Sequence, residues 1–207
     1  MVRSKVLLFS VLGIIMVAGC AGKGERIDVL IPGTGAGERM ASTTVNGPRI
    51  AVLPFDDQRA NQAHLGMRSH LWGGVSYFDL PSGTVPRAAS QALVDYLNRQ
   101  GWKASLARTV GSEGADITIT GTIQDLSIDA TSGFMHTDLT AKNSMKFQIA
   151  NHADESVVRE RVSGSGSDQV FWFEPTDAQR LTDELFEKNF QKLIGDLRIE
   201  GRMIRLK

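Results

Sequence analysis

Four histidines, two adjacent carboxylates and a single cysteine are the residues that could do chemistry, and their spacing limits it. His64, His70, His136 and His152 are scattered over loops and turns with no short ligand spacing. A metal site needs converging donors, so none is expected. Asp56 and Asp57 adjoin, and paired carboxylates can divide acid and base roles. Neighbours on an extended chain point to different faces, however, and such a pair more commonly caps a turn. Asp57 with Arg59 is the polar pair to watch, as a loop site or as an ion pair bracing the loop. Ser163-Gly164-Ser165-Gly166-Ser167 lacks the strand–turn–helix context of a nucleophile elbow and reads as a strand end or exposed loop. Gly33-Thr34-Gly35-Ala36-Gly37 has the glycines of a phosphate cradle. A poor helix follows it and a Lys-Ser/Thr pair is missing, so no nucleotide is expected. With no catalytic set and no cofactor in view, the chain reads as non-enzymatic; hydrolysis by the loop carboxylates is the remote alternative.

The cysteine is different. Arg3 and Lys5 form a basic start, and the thirteen residues Val6 to Ala18 carry no charge. That run is too short to span a bilayer and fits a secretory signal. Val17-Ala18-Gly19-Cys20 resembles the bacterial lipobox, in which the chain is cut before a lipidated cysteine. The resemblance implies diacylglyceryl and N-acyl lipid on Cys20. One acyl chain holds only marginally, at about 0.8 kcal/mol per buried methylene, whereas two or three hold firmly. Ala21 stands where Asp would retain such a protein at the inner membrane. The resemblance therefore implies the outer membrane, facing the periplasm, with the outer leaflet of the inner membrane as the alternative.

Over the 207 residues, 23 basic and 23 acidic side chains balance, and cleavage after Gly19 leaves 21 basic. No basic excess points to nucleic acid. The only cysteine is taken by lipid, which excludes a disulfide or a cysteine zinc site. The expected division is a signal peptide over 1–19, a lipidated flexible tether over 20–48, and a single α+β domain over 49–207. The patch Val29-Leu30-Ile31 in the tether could lend a short edge strand. A tether of that length lets the domain roam about 30 Å from the membrane.

Arg49 to Phe55 is a short apolar run typical of a buried strand. Residues 60–83 read as irregular, and their large apolar groups must cover the core, bind something or meet a membrane surface. Thr84 and Pro86 start a helix with the stripe Val85, Ala88, Ala89, Ala92, Leu93, Tyr96 and Leu97, and Gly101 stops it. Trp102 to Leu106 follows as a strand, making a βαβ-like opening. Ile117, Ile119, Gly121 and Ile123 alternate, then shift phase to Leu126 and Ile128, which predicts a bulge. Residues 139–149 and 158–164 continue an antiparallel meander with one wet face. A long helix begins at Pro175, with Thr176 and Gln179 at capping-box spacing. It is expected to end at Gly201, with Arg202, Arg205 and Lys207 fraying beyond. The fold class is α+β: the βαβ-like opening, then the meander, with two helices packed on one face of the sheet. Phe171-Trp172-Phe173 puts rings on both faces of an extended segment. Packing against the Trp72 loop is the leading reading; together with Trp72, Tyr77 and Phe78 the segment is also the candidate partner surface, because aromatics are enriched at interfaces.

The lipobox, the loop Asp57-Gln58-Arg59, the pair Ala92-Leu93 before Gly101-Trp102, the alternation from Ile117 and the terminal helix resemble, in order, the YajG-type lipoproteins of Gram-negative bacteria. That family has no established activity, so the resemblance implies a location and a fold, not a reaction. The stretch from Trp72 to Leu80 departs from its pattern. Leu53-Pro54-Phe55-Asp56 bears a fainter likeness to lipoprotein accessories of envelope ABC transporters. The expected function is a lipid-anchored envelope protein that binds the membrane through its lipid and an envelope protein through its domain. Service to an ABC transport or lipid-trafficking system is the alternative.

Overall fold

The computed structural model describes residues 24–32, 47–109 and 114–207. Cys20 and its flanking Val17, Ala18 and Gly19 lie outside them. The described chain is α+β: a mixed nine-stranded sheet, two helices and a separate two-stranded hairpin. The strands of the large sheet are β1 (Glu25–Asp28), β2 (Arg49–Val52), β3 (Asp56–Asp57), β4 (Gly66–Ser69), β5 (Val75–Asp79), β6 (Lys103–Leu106), β7 (Ile117–Gly133), β8 (His136–Asn151) and β9 (Val157–Val170).

The long meander β7–β8–β9 is the spine. Its buried positions alternate as its apolar residues do, because successive side chains of a strand point to opposite faces. The predicted bulge is present. Ile123 pairs with Met145, and the next paired residue, Asp125, meets Ser144. The extra residue Gln124 lets Leu126 and Ile128 return to the core side. β7 is long enough to serve three neighbours on its other edge: β2 runs parallel to its first part, β3 to Thr122 and Ile123, and β4 to residues Ile128 to Thr131. β2 and β6 pair in parallel, with β3, β4, β5 and the first helix between them in the chain.

That helix, α1 (Val85–Arg99), buries Ala88, Ala89, Ala92, Leu93, Tyr96 and Leu97, as its stripe predicts. Gly101 follows at φ 83, the left-handed conformation that favours glycine at a helix stop. The second helix, α2 (Pro175–Gly195), lies against β8 and β9 and touches α1, where Tyr96 and Phe190 meet with ring centroids 5.5 Å apart. Its capping box is Glu174 with Asp177, not Thr176 with Gln179. Gln179 has another task. Its side chain accepts from the Leu30 N–H at 2.7 Å and donates to the Leu30 carbonyl at 2.9 Å.

Four sequence expectations change here. First, residues 24–32 are folded rather than tether: the edge strand is present but at Glu25–Asp28, parallel to β5, while Gln179 clamps Leu30 and Val29 and Ile31 are buried. Second, residues 60–83 are not irregular, because β4 and β5 form a hairpin inserted beside β7. Third, Ser163 to Ser167 lies within β9. A Cβ on Gly166 would sit 2.9 Å from Leu181 Cδ1, and one on Gly164 would sit 2.7 Å from Asn189 Oδ1. These glycines let α2 approach the sheet. Fourth, α2 ends at Gly195, and the tail does not fray. It forms the hairpin β10 (Leu197–Glu200) and β11 (Met203–Leu206), turning at Gly201, with Ile204 bracketed by the Asn151 side chain at 2.8 and 3.0 Å.

Candidate functional site

Asp57 and Arg59 close on each other at the start of the loop after β3. Arg59 Nε donates to Asp57 Oδ1 and Nη2 to Oδ2, both at 2.9 Å. Arg59 is only 6% exposed, and its Nη1 reaches the carbonyls of His64 and Leu126. Burial pushes the Asp57 carboxyl up, but the hydrogen bonds and charge of Arg59 outweigh it and hold the carboxyl below its ordinary value. With both oxygens occupied, Asp57 fastens the loop to β7. The neighbouring Asp56 faces its own partner, Gln58.

A second polar cluster, which sequence reasoning missed, ties β1 to the inserted hairpin. The Asp79 carboxylate receives Arg26 Nε at 2.9 Å and faces His64 Nδ1 at 2.8 Å. The His64 ring stacks on Tyr77 with centroids 4.1 Å apart. His70 Nε2 lies 2.7 Å from the hydroxyl of Ser76, which is itself buried and closed to a substrate. His136 meets the Phe134 carbonyl and His152 the Thr118 hydroxyl. The four histidines are therefore held by four different partners. Among the described residues no group of three or more His, Cys, Asp or Glu is placed to hold a metal.

The aromatic candidates divide into two sets. Phe78 and Phe173 are buried, with centroids 6.1 Å apart, and the Arg68 guanidinium lies 4.1 Å over the Phe173 ring. They hold the hairpin to the body, as the packing reading has it, and their place in the candidate partner surface is corrected. Tyr77 is half-buried under His64. Trp72 and Trp172, by contrast, are 93% and 79% exposed, and Phe171 is exposed too. Phe171 and Trp172 follow the end of β9 instead of continuing it.

Strand register shows where the exposed set gathers. β4 runs parallel to β7 with Ser69 opposite Thr131, so the tip His70–Gly74 lies beside the end of β7. The β7–β8 turn there carries the exposed Phe134 and Met135. Across β8, Thr137 pairs with Val170, which places Phe171 and Trp172 at the same end. Leu71, Trp72, Phe134, Met135, Phe171 and Trp172 thus project from three neighbouring tips. Phe134 and Met135 had a readable signal, two large apolar residues where a hairpin turn normally carries polar ones.

The sheet face opposite the helices is polar. Lys146 stands directly across from Arg161, and Arg159 across from Gln148, around an open groove of about 350 Å³ that Thr120 and Thr122 also line. Among the described residues no helix is long and apolar enough to cross a membrane.

No protein-family model matches the chain, and no curated protein does. The chain is similar in structure to protein XCC0632 from Xanthomonas campestris, described as DUF330, at 10% identity over 84% of this chain and 93% of that one, with a TM-score of 0.49. It is also similar to the PelC dodecamer subunit from Paraburkholderia phytofirmans, at 12% identity over 74% and 92%, TM-score 0.38. Lipoprotein GNA1162 from Neisseria meningitidis is similar at 13% identity over 65% and 92%, TM-score 0.37.

Proposed function

We propose that this chain is a non-enzymatic envelope lipoprotein, held by lipid on Cys20 at the periplasmic face of the outer membrane, whose folded domain binds another component of the envelope. The observation that carries the binding role is the gathering of six exposed large apolar side chains on three tips at one end of the sheet. Isolated surface apolar residues need no explanation, but a clustered set marks an interaction site. The carboxylates weighed for catalysis are in use elsewhere: Asp57 braces its loop through Arg59, and Asp56 accepts from Gln58. The lipobox-like Val17-Ala18-Gly19-Cys20 supports the anchor.

Two measurements in intact cells test this reading. Photo-crosslinkers placed at positions 72 and 172 should capture an envelope component, whereas one at the buried Phe78 should capture none. Cys20→Ser should abolish incorporation of labelled fatty acid and release the chain from the membrane fraction. An unlabelled native protein would refute the anchor, and empty crosslinks at both tryptophans would refute the binding surface.

A further inference from the structure

We propose that the apolar end of the sheet docks into the headgroup region of the bilayer that carries the Cys20 lipid, so the domain stands on the membrane in one orientation. This deepens the reading above and rests on it: the component bound at the tips is the lipid surface itself.

β1 is parallel to β5, with Glu25 opposite Ser76, so its first residues lie at the end of the sheet from which the hairpin tip Leu71–Trp72 projects. Gly24 is already in place there. A Cβ on it would meet Tyr77 Cε2 at 2.6 Å and the Val75 carbonyl at 3.4 Å. Cys20 is four residues earlier in the sequence, a reach of about 14 Å at most. A lipid on Cys20 therefore brings this end of the sheet, and no other, to the membrane surface. The 30 Å of freedom expected of a long tether is absent, because Gln179 and β5 hold residues 24–32 in the fold.

The chemistry at that end suits a bilayer. From β1 across β5, β4, β7 and β8 to β9 the end spans five strand spacings, about 24 Å. Its projecting groups are two tryptophans, two phenylalanines, a methionine and a leucine. Trp sits readily at the membrane–water boundary, where its ring is apolar and its N–H stays wet. Surface-lying elements bury their apolar side about 5–10 Å into that boundary, a depth that loop tips can reach without exposing strand edges to hydrocarbon. Near the tips Asp168 pairs with Arg180, Asp138 faces His136 and Arg26 pairs with Asp79, so these charges offset one another and the apolar groups drive the docking. Zwitterionic lipid suffices, and salt has little effect.

The three tryptophans of the chain make the test direct. Trp72 and Trp172 are at the tips, whereas Trp102 precedes β6, which pairs through β2 with the opposite end of β7. Single-tryptophan forms of the chain as the cell processes it, made by Trp→Phe changes, are mixed with phosphatidylcholine vesicles with and without brominated acyl chains. The expected result is loss of Trp72 and Trp172 emission in brominated vesicles, with Trp102 unchanged at low and high salt. Flotation of the same samples reads the anchor separately. Protein that floats with Trp72 and Trp172 unquenched overturns the docking and leaves the anchor standing. Protein that fails to float overturns the anchor. Excess vesicles added to that unacylated chain then decide the docking: quenching at the two tips supports it, and none overturns it. A lipid-free blue shift of both tips that grows with protein concentration would also overturn it, identifying a second copy as the occupant.

Discussion

The Phe55 ring fills the space that a side chain on Gly121 would need: a Cβ there would lie 2.6 Å from Phe55 Cδ1. Gly121 pairs with Phe147 in the next strand, and Phe55 meets that ring edge-on at 5.6 Å. The missing side chain in β7 thus seats the loop between β2 and β3, which Phe55 N–H also ties to Ser90 on α1. Gly121→Ala should cost about 1–3 kcal/mol, as over-packing does, and Phe55→Ala about 3–5 kcal/mol through the cavity it leaves. Urea unfolding of each variant measures both.

Arg59 should be irreplaceable as a brace. Both side chains of the pair are largely buried, so Arg59→Ala leaves the Asp57 carboxylate without its partner, a loss of about 3 kcal/mol. Arg59→Lys should recover only part, because an ammonium cannot reproduce the two-pronged contact. The pH dependence has a definite sign. Asp57 titrates below its ordinary value of 3.8 in the folded chain, so its contribution is present above that pH and is lost as pH falls through the lower folded value. The acid limb of the stability curve should be shallower in Arg59→Ala.

Asp154 gives a second titration to read. Hydrogen bonds from Arg205 foremost, then from Ser156, hold its carboxyl at about 2. Between the ordinary 3.8 and about 2 this contact is lost as pH falls. Carboxyl-carbon NMR should place the Asp154 midpoint near that low value in the native chain, and Arg205→Ala should return it toward the ordinary range. An unchanged midpoint in the variant would show that the terminal hairpin is held by other contacts.

Gly166 and Leu181 should be coupled. Gly166→Ala pushes a methyl to 2.9 Å from Leu181 Cδ1 and should cost about 1–3 kcal/mol. Leu181→Ala alone leaves a cavity. Because the first change fills space that the second empties, the double variant should be more stable than the sum of the singles predicts, by about 0.5 kcal/mol or more. Denaturant midpoints of the four proteins complete the cycle.

The two aromatic sets should separate in stability measurements. Trp72→Ser and Trp172→Ser alter groups that stand in solvent, and each should change unfolding by no more than about 0.5 kcal/mol. Phe173→Ala removes the ring between Phe78 and Arg68 and should cost about 3–5 kcal/mol. Equal effects across the three would undo the division between tips and core.

What could be read from the chain alone was local in origin. The stripe of α1, the alternation of β7 and β8 and the bulge at Gln124 follow from side-chain period, which neighbouring residues set. The Asp57–Arg59 pair was equally visible, because its members are two residues apart. The inserted hairpin was not. β4 and β5 are short and flanked by glycines, and they become strands because β7 offers them an open edge. The end of α2 was misplaced for a related reason: Gly195 and Gly201 are both fair stops, and the bracket of Asn151 around Ile204 commits the residues between them to a hairpin.

The sequence by itself determined the lone cysteine behind an uncharged run, the apolar periods of the long elements and the scatter of the four histidines. Those features reside in residue type and spacing. Only the tertiary structure decided that Val29 and Ile31 belong to the core, that Phe78 and Phe173 are buried while Trp72 and Trp172 are not, and that the three exposed tips share an end with Gly24. Each of these depends on strand register between segments far apart in the chain, and register is settled by what buries against what.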